Sequence, residues 1–359
     1  MPELGDFTSA VSGIWDSRYL TNYGPKLMEL EKRLSDYLGV QNVACFVNGH
    51  LALDCAIKSL RLTGEIVTTP FTFISTIQAI ITNGLKPIFC DIEPDTFNID
   101  AKKIEQCINE NTSAILAVHV FGRPCDVETL EKIADKHGLK LIFDGAHAFG
   151  VRHHGKSLLD YGDISMMSFH ATKVFNTIEG GALVLKDPDA MQKLKCIGNF
   201  GFSNGEIEYY GTNAKMNEFQ ACMGLLNLEL VDDEFARREK VYKRYNENLN
   251  TVGGIKIPFL GSTDDRYNYS YYPIIIDKSR YGTDSGGLYE ILEKKGVISR
   301  RYFYPACNEM SLIKKLGYGD EATPVSSSIS ENILTLPIHG QLSMDDVDFI
   351  CAVIKGEVR

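Results

Sequence analysis

The sequence has few of the features that mark secreted, membrane-spanning or metal-binding proteins. Its nine cysteines are odd in number and scattered, and no Cys-x-x-Cys pair occurs among the 359 residues. This distribution predicts reduced thiols rather than a disulfide framework or a zinc site, and we expect no metal at the functional site. No apolar run is long enough to span a bilayer, and the N-terminus lacks the basic and apolar regions of a signal peptide. We therefore expect a cytoplasmic protein without a membrane partner.

Positive charge is also scarce, since 37 basic residues face 47 acidic ones and give a formal net charge of −10. An acidic surface is repelled by phosphate backbones, so we expect no nucleic-acid partner. A small anionic ligand held by a local cluster remains compatible with this charge. No internal repeat or low-complexity segment interrupts the chain. At this length we expect two domains with ample hydrophobic core.

Strand-like and helix-like segments alternate along the first part of the chain, after an irregular arm over residues 1–26. The predicted strands are apolar throughout, which is typical of a mostly parallel sheet covered by helices on both faces. The strands are predicted at 43–47, 65–69, 87–90, 114–118, 139–144, 164–167 and 182–185, and the helices at 26–38, 51–60, 73–83 and 127–137. The pattern therefore predicts an α/β fold.

A long helical stretch from about residue 215 leads into a smaller C-terminal α+β domain. Strands are predicted there at 271–277 and 297–304, and helices at 287–295 and 344–354. Because the connection is helical, no Gly/Ser-rich linker marks the boundary. We place it at residue 235, which gives a large domain over 1–235 and a small domain over 236–359.

The most informative stretch is Ser168-Phe-His-Ala-Thr-Lys173, which lies between two predicted strands. A loop between buried strands can hold and partly desolvate the amine of Lys173, which makes it a usable nucleophile. Asp144 stands 29 residues upstream at the C-terminal end of an apolar strand, where parallel sheets bind ligands. A lone lysine in a Gly-rich loop would be an ordinary surface residue. Together with Asp144, it forms the pair that pyridoxal phosphate (PLP) needs.

Four further candidates are individually weak. The turn at Gly49 and His50 follows a strand and begins a helix, so its free N–H groups suit a phosphate, although an ordinary turn has the same pattern. Phe73 could stack on a flat ring or belong to the core. His147 could bond a phenolic oxygen or cap a loop, and the hydroxyl of Ser168 could reach the phosphate. Their order along the chain supports a cofactor site.

Several motifs together resemble the DegT-type nucleotide-sugar aminotransferases, which are fold-type I PLP enzymes. The motifs are Thr21-Asn-Tyr-Gly-Pro25, Asn48-Gly-His-Leu-Ala-Leu53, Thr69-Pro-Phe-Thr-Phe73, Asp144-Gly-Ala-His147, Ser168-Phe-His-Ala-Thr-Lys173 and Leu336-Pro-Ile-His339. The resemblance implies that Lys173 binds the cofactor covalently and that Asp144 pairs with its ring nitrogen. Phe73 matches the residue stacked on the ring, and His147 the residue near the phenolic oxygen.

The resemblance also implies the remaining contacts. Ser168, Gly49 and His50 match phosphate contacts, and Asn213 matches an asparagine that reaches the phosphate in the neighbouring subunit of a homodimer with shared active sites. Three further residues lie where the family's C-terminal domain approaches the sugar nucleotide. A core strand with alternating aromatic residues would explain the two tyrosines among them equally well. These candidate substrate residues are Arg301, Tyr302 and Tyr304.

Two departures from the family pattern stand out. Gly49-His50 replaces the usual Gly-Thr, so backbone N–H groups or the imidazole would take over a hydroxyl's contact to phosphate. Gly145 stands where alanine is common, which we expect to be harmless. A related branch carries histidine in place of the lysine and performs dehydration, so the presence of Lys173 favours transamination.

The implied reaction transfers an amino group from L-glutamate to a nucleotide-linked 4-keto-6-deoxyhexose, with dTDP as the expected nucleotide. Its product would be an amino sugar for glycan or O-antigen biosynthesis. The resemblance is strongest to the dTDP-4-dehydro-6-deoxyglucose 4-aminotransferases. A 3-keto-sugar aminotransferase, another PLP reaction such as dehydration and a non-catalytic protein of this fold are the alternatives.

Overall fold

The protein is described by a computed structural model over residues 1–258 and 266–357. In these ranges the strands are β1 (Asn42–Phe46), β2 (Glu65–Thr68), β3 (Lys86–Phe89), β4 (Thr112–Val118), β5 (Lys140–Asp144), β6 (Arg152–His153), β7 (Lys156–Ser157), β8 (Ile164–Ser168), β9 (Gly181–Leu185), β10 (Phe202–Ser203), β11 (Glu206–Ile207), β12 (Ile255–Lys256), β13 (Tyr272–Ile276) and β14 (Ile333–Leu336). The α-helices are α1 (Leu4–Ser17), α2 (Pro25–Leu38), α3 (Gly49–Leu60), α4 (Ile74–Thr82), α5 (Ala101–Ile104), α6 (Val127–His137), α7 (Pro188–Ile197), α8 (Glu218–Leu249), α9 (Lys278–Tyr281), α10 (Ser285–Lys294), α11 (Ser311–Lys315), α12 (Pro324–Asn332) and α13 (Met344–Lys355). Among the described residues, none of these helices has the length and apolarity that crossing a membrane requires.

A seven-stranded sheet organises the larger part of the chain, with the strand order β1-β9-β8-β5-β4-β2-β3. The strands from β8 to β3 are parallel, and β9 runs antiparallel to both of its neighbours, β8 and β1. Successive residues of a strand point to opposite faces of the sheet and belong to different cores. Leu141 and Phe143 belong to one core, and Ile142 between them belongs to the other. Because both faces are buried, the strands are apolar throughout. The predicted α/β fold with a mostly parallel sheet is confirmed.

The direction of these strands places the predicted site residues at one edge of the sheet. Since β9 is antiparallel to both neighbours, β1 runs in the same direction as β8 and the parallel strands. The carboxyl ends of these strands therefore meet at one edge. Asp144 ends β5 and Ser168 ends β8, while Gly49 follows β1 and Phe73 follows β2.

A second, three-stranded antiparallel sheet has the order β12-β13-β14. The helix α8 connects the two sheets and contributes to both cores. Leu225 and Leu228 in its first half belong to the core beneath the large sheet. Tyr242 and Tyr245 in its second half pack with Tyr272 of β13 in a separate core. One continuous helix therefore carries the chain from the first core to the second.

Two predicted segments are wrong. The N-terminal arm is not irregular, because residues Leu4–Ser17 form α1. Its apolar residues at 7, 10, 11 and 14 have helical spacing, and Ile14 is buried. The strand predicted over 297–304 does not form. Only Arg300 pairs there, with Thr335 of β14, before a turn from Tyr304 N–H to the Arg301 carbonyl redirects the chain.

Candidate active site

A cavity of about 440 Å³ opens at the carboxyl edge of the large sheet. Eight of the predicted site residues line it, namely Gly49, His50, Phe73, Asp144, His147, Ser168, Lys173 and Tyr302. A larger cavity of about 790 Å³ lies elsewhere, between α3, α7 and the β10–β11 hairpin, and none of the predicted residues lines it. We therefore identify the smaller cavity as the candidate active site, because it brings the lysine and the aspartate together.

Asp144 is a buried carboxylate held by neutral donors. Its Oδ2 accepts a hydrogen bond of 2.7 Å from the Thr76 hydroxyl, and its Oδ1 accepts one of 3.0 Å from the Ala146 N–H. Burial raises the pKa of Asp144, whereas these hydrogen bonds and the charge of Lys173 oppose the rise. A cation bound against this carboxylate would hold it ionised, since a buried charge needs a partner. A protonated ring nitrogen is such a cation.

His147 is buried beside Asp144 and has a defined tautomer. Its Nδ1 accepts a hydrogen bond of 3.1 Å from the backbone N–H of Phe121. Burial and the nearby charge of Lys173 lower the pKa of His147 well below its usual value. The neutral ring therefore carries its proton on Nε2. His147 can thus act as a hydrogen-bond donor toward an oxygen in the cavity.

Lys173 lies on the loop between β8 and β9, where its amine faces a side chain from the second sheet. The phenolic oxygen of Tyr271 is 3.4 Å from Lys173 Nζ. The Tyr271 ring packs against the His147 ring, with centroids 4.6 Å apart. Tyr271 precedes β13, so the second sheet supplies one wall of the cavity. The lysine amine is therefore positioned by side chains from both parts of the chain.

The start of α3 forms a cradle of the kind that accepts a phosphate. Asn48 caps the helix, and its side chain accepts a hydrogen bond of 2.8 Å from the Leu51 N–H. The first N–H groups of a helix have no carbonyl partner within it and favour anions. A Cβ added at Gly49 would lie 3.1 Å from the Ser168 Cβ, so glycine lets the helix start approach β8 closely. His50 Nδ1 contacts the Ser75 hydroxyl at 2.9 Å.

The structure places three predicted residues outside the lining of this cavity. Asn213 is exposed, and its Oδ1 accepts a hydrogen bond of 2.9 Å from Lys215. The Arg301 guanidinium lies 3.5 Å from the centroid of the Tyr304 ring and donates to the carbonyl of Glu331. Arg300, the neighbouring residue, lines the cavity instead.

Sequence reasoning missed Thr76, Tyr271 and Arg300. A signal for Thr76 was present, because Thr72 and Thr76 stand four residues apart at the start of a helix at the sheet edge. Their hydroxyls are 2.8 Å apart and lead to Asp144. No comparable signal identifies Tyr271, since its role depends on how the second sheet packs against the first.

The residues of this cavity fit PLP by their chemistry. Asp144 offers a buried acceptor to a ring cation, His147 offers a donor to a phenolic oxygen, and the start of α3 offers N–H groups to a phosphate. The exposed ring of Phe73 lines the same cavity and can stack on a flat ring. Lys173 supplies the amine for covalent attachment.

Comparisons with known proteins agree with this geometry. The chain is 38% identical to dTDP-4-amino-4,6-dideoxy-D-glucose transaminase of Shigella dysenteriae, over 99% of this chain and 96% of that protein. It is 39% identical to the Escherichia coli protein of the same name, over 100% of this chain and 97% of that protein. The crystal structure of DesI in the presence of its TDP-sugar product superimposes with a TM-score of 0.94, at 33% identity, over 99% of this chain and 90% of that chain.

The predicted enzyme class and cofactor are confirmed, since the relatives are PLP-dependent sugar aminotransferases. The match to the family extends over almost the whole chain, from residue 4 to residue 355. It therefore includes both sheets and every residue that lines the cavity. The chain belongs to the DegT/DnrJ/EryC1/StrS aminotransferase family.

Proposed function

We propose that this enzyme transfers an amino group from L-glutamate to a dTDP-linked 4-keto-6-deoxyhexose. The observation that carries the proposal is the cavity in which Lys173, Asp144 and His147 converge. The choice of substrate is supported by two relatives, 38% and 39% identical over nearly their whole length, that are dTDP-4-amino-4,6-dideoxy-D-glucose transaminases. The product is an amino sugar for glycan or O-antigen biosynthesis, made in the cytoplasm, where the free cysteines stay reduced.

Bound PLP supplies the electron sink, and the residues of this chain position it and move protons. Asp144 keeps the ring nitrogen protonated by offering a buried negative partner. The Nε2–H of His147 donates to the phenolic oxygen. The Lys173 amine would give and take the proton at the reacting carbon, as a general acid and base.

The phosphate of PLP is assigned to the sheet edge. The N–H groups of Gly49 and His50 at the start of α3 would hold it, and the Ser168 hydroxyl, which lines the same cavity, would add a further hydrogen bond. The exposed ring of Phe73, which lines the cavity, would stack on the ring of PLP. In this arrangement the backbone replaces the hydroxyl that the usual Gly-Thr sequence would offer.

The nucleotide sugar carries two negative phosphates, and Arg300 is the lining residue suited to bind them. A guanidinium binds phosphate oxygens in a bidentate manner. Tyr302 lines the same wall, and the Arg300 guanidinium lies 5.8 Å from the centroid of its ring. We assign Arg301 and Tyr304, which stack on each other, to the support of this segment.

The enzyme is proposed to act as a homodimer in which Asn213 reaches the cofactor phosphate of the partner. Support comes from the exposure of Asn213 and of apolar side chains nearby in sequence, since Tyr210 is 95% exposed and Ile207 is 69% exposed. Contiguous exposed apolar patches commonly mark an interface, and Ile207 and Tyr210 would contribute to such a patch.

The division into a large domain over 1–235 and a small domain over 236–359 is also proposed. It is supported by α8, whose residues up to Phe235 belong to the first core and whose residues from Val241 belong to the second. The boundary therefore falls inside a continuous helix. Each part keeps its own sheet.

The experiment that tests the function supplies glutamate and a panel of keto-sugars that differ in nucleotide and in keto position. Release of 2-oxoglutarate and NMR of the product report the reaction and the carbon that is aminated. We expect amination at C4 of the dTDP-linked sugar, and no turnover by Lys173→Ala. Amination at C3, or dehydration without 2-oxoglutarate, would replace the proposal with one of the alternatives.

A further inference from the structure

Three possible metal ligands converge at the surface, outside the cavity lining. They are Glu128 in the first turn of α6 and the adjacent residues His153 and His154 of the β6–β7 hairpin. The Nε2 atoms of both histidines lie 3.6 Å from the same oxygen, Glu128 Oε1. None of the three lines the candidate active site. The proposed aminotransferase chemistry gives this group no role.

The spacing of the three ligand atoms suits an ion better than direct hydrogen bonds. A nitrogen and an oxygen 3.6 Å apart are too distant for a hydrogen bond. All three ligand atoms lie within 4.8 Å of one another. A point equidistant from them is at most about 2.4 Å from each, close to the zinc–ligand distances of about 2.0–2.2 Å. The gap at the centre of the triangle therefore has the size of a coordinated metal.

The hairpin holds its two histidines in the geometry that such a site requires. His154 and Gly155 form the turn with φ values of 51° and 74°. Their positive values match a two-residue type I′ turn. The two imidazole centroids are consequently 4.0 Å apart. The Tyr161 hydroxyl donates to the His153 carbonyl at 3.2 Å and fixes the first strand of the hairpin.

We propose that Glu128, His153 and His154 form a Zn²⁺ site with water in the fourth position. Imidazole and carboxylate are ligands that zinc uses, whereas Mg²⁺ prefers oxygen alone. The ion would tie α6 to the β6–β7 hairpin. This site departs from the expectation of no metal, which rested on the cysteines and did not weigh two histidines that lie 25 and 26 residues after a glutamate.

One variant removes a ligand without disturbing the turn. His154→Asn places Asn-Gly in the turn, which is the preferred pair for the type I′ geometry. Glu128→Gln removes the carboxylate from the opposite side. His137→Gln is the matched control, because His137 also lies on the surface near a glutamate, Glu105, and lies outside the cluster.

The test measures zinc bound by the full-length PLP-loaded proteins after chelation and dialysis against Zn²⁺, with Mg²⁺ in a parallel series. We expect one equivalent of zinc that binds at least about tenfold more weakly in His154→Asn and Glu128→Gln and is unchanged in His137→Gln. Anomalous scattering at the zinc edge should show the ion between the three side chains. Equal zinc binding in all four proteins, or an anomalous peak elsewhere, would overturn the proposal.

Discussion

The phenolic oxygen of Tyr271 lies 3.4 Å from the amine of Lys173. The two residues are 98 positions apart in the chain, since Lys173 lies on the loop between β8 and β9 of the large sheet and Tyr271 directly precedes β13 of the second sheet. A phenol at this distance can orient the amine and exchange a hydrogen bond with it. The packing of the second sheet against the first therefore contributes directly to the reacting group.

Tyr271→Phe should lower kcat by about tenfold, because the amine loses an orienting hydrogen bond while the ring packing is kept. Covalent capture of PLP by the cofactor-free protein should also become slower, which stopped-flow absorbance measures. Tyr269→Phe is the control, since its hydroxyl contacts Glu239 outside the cavity. Unchanged kcat and capture rate in Tyr271→Phe would show that the contact has no role in positioning.

Asp144→Asn should keep the fold and bind some PLP, yet lose activity by a factor on the order of 10². The amide oxygen can still accept the Ala146 N–H, and the Thr76 hydroxyl can reverse to accept from the amide nitrogen. A neutral amide cannot stabilise the ring cation. Circular dichroism checks the fold, and single-turnover kinetics measures the rate of the chemical step. Turnover close to that of the native enzyme would mean that another group protonates the ring.

The buried His119 should make the protein less stable in acid. Burial, with the nearby His153, lowers the pKa of His119 from 6.5 to about 3. The folded form keeps the ring neutral, while the unfolded form takes up a proton below pH 6.5. Above that pH, His119 therefore leaves the free energy of unfolding unchanged. As the pH falls from 6.5 toward 3, the free energy of unfolding decreases by about 1.4 kcal/mol per pH unit.

The measurement compares His119→Asn with the native protein by urea unfolding at several pH values between 5 and 8. Asparagine can still accept the Cys125 N–H that His119 Nδ1 accepts. The pH dependence of the variant should be shallower between pH 5 and 6 and equal to that of the native protein above pH 7. Parallel curves would show that His119 titrates alike in the folded and unfolded states.

Arg300→Gln should raise KM for the nucleotide sugar by about tenfold and leave KM for glutamate nearly unchanged. Arg300→Lys should recover part of the loss, because it keeps the charge. Arg301→Gln is the matched control, since its guanidinium stacks on Tyr304. Steady-state kinetics with each substrate varied separately gives the result. A larger effect from Arg301→Gln would reverse the assignment of the two arginines.

Mixed subunits test the shared active site. If Asn213 reaches the cofactor of the partner as proposed, a heterodimer of Lys173→Ala and Asn213→Ala has one site with both native residues and one with both substitutions. Co-refolding the two variants should therefore restore activity above that of either parent treated alone. Asn213→Ala must be impaired by itself for the test to apply, and native mass spectrometry verifies heterodimers. No gain would place Asn213 in the site of its own subunit or outside the chemistry.

The sequence was most informative about the positions of residues that end a predicted strand. Asp144 and Ser168 end adjacent parallel strands, so their presence at one sheet edge follows from the α/β pattern alone. The chemistry of a lysine and a buried aspartate then pointed to PLP. The helix α1 was missed because its short apolar stripe lies among polar and small residues, although its spacing is helical.

The wall of the cavity was harder to predict because it depends on local turns and on packing between sheets. Arg300 lines the cavity, whereas the guanidinium of the adjacent Arg301 stacks on the Tyr304 ring. Which of them lines the cavity depends on the pairing of Arg300 with Thr335, and no sequence pattern reveals this register. Tyr271 reaches Lys173 only because the second sheet packs where it does.

The helix α8 has a mechanical consequence for this enzyme. It runs unbroken for 32 residues, a length of about 48 Å, and its two halves are anchored in different cores. Because the helix is continuous, a rod and not a flexible linker leads from the first core to the second. Tyr271 and Arg300 line the same cavity as Lys173 and Asp144. The sugar chamber is therefore built from both parts of the chain, and a change in how the second core packs along this rod would alter the shape of the chamber.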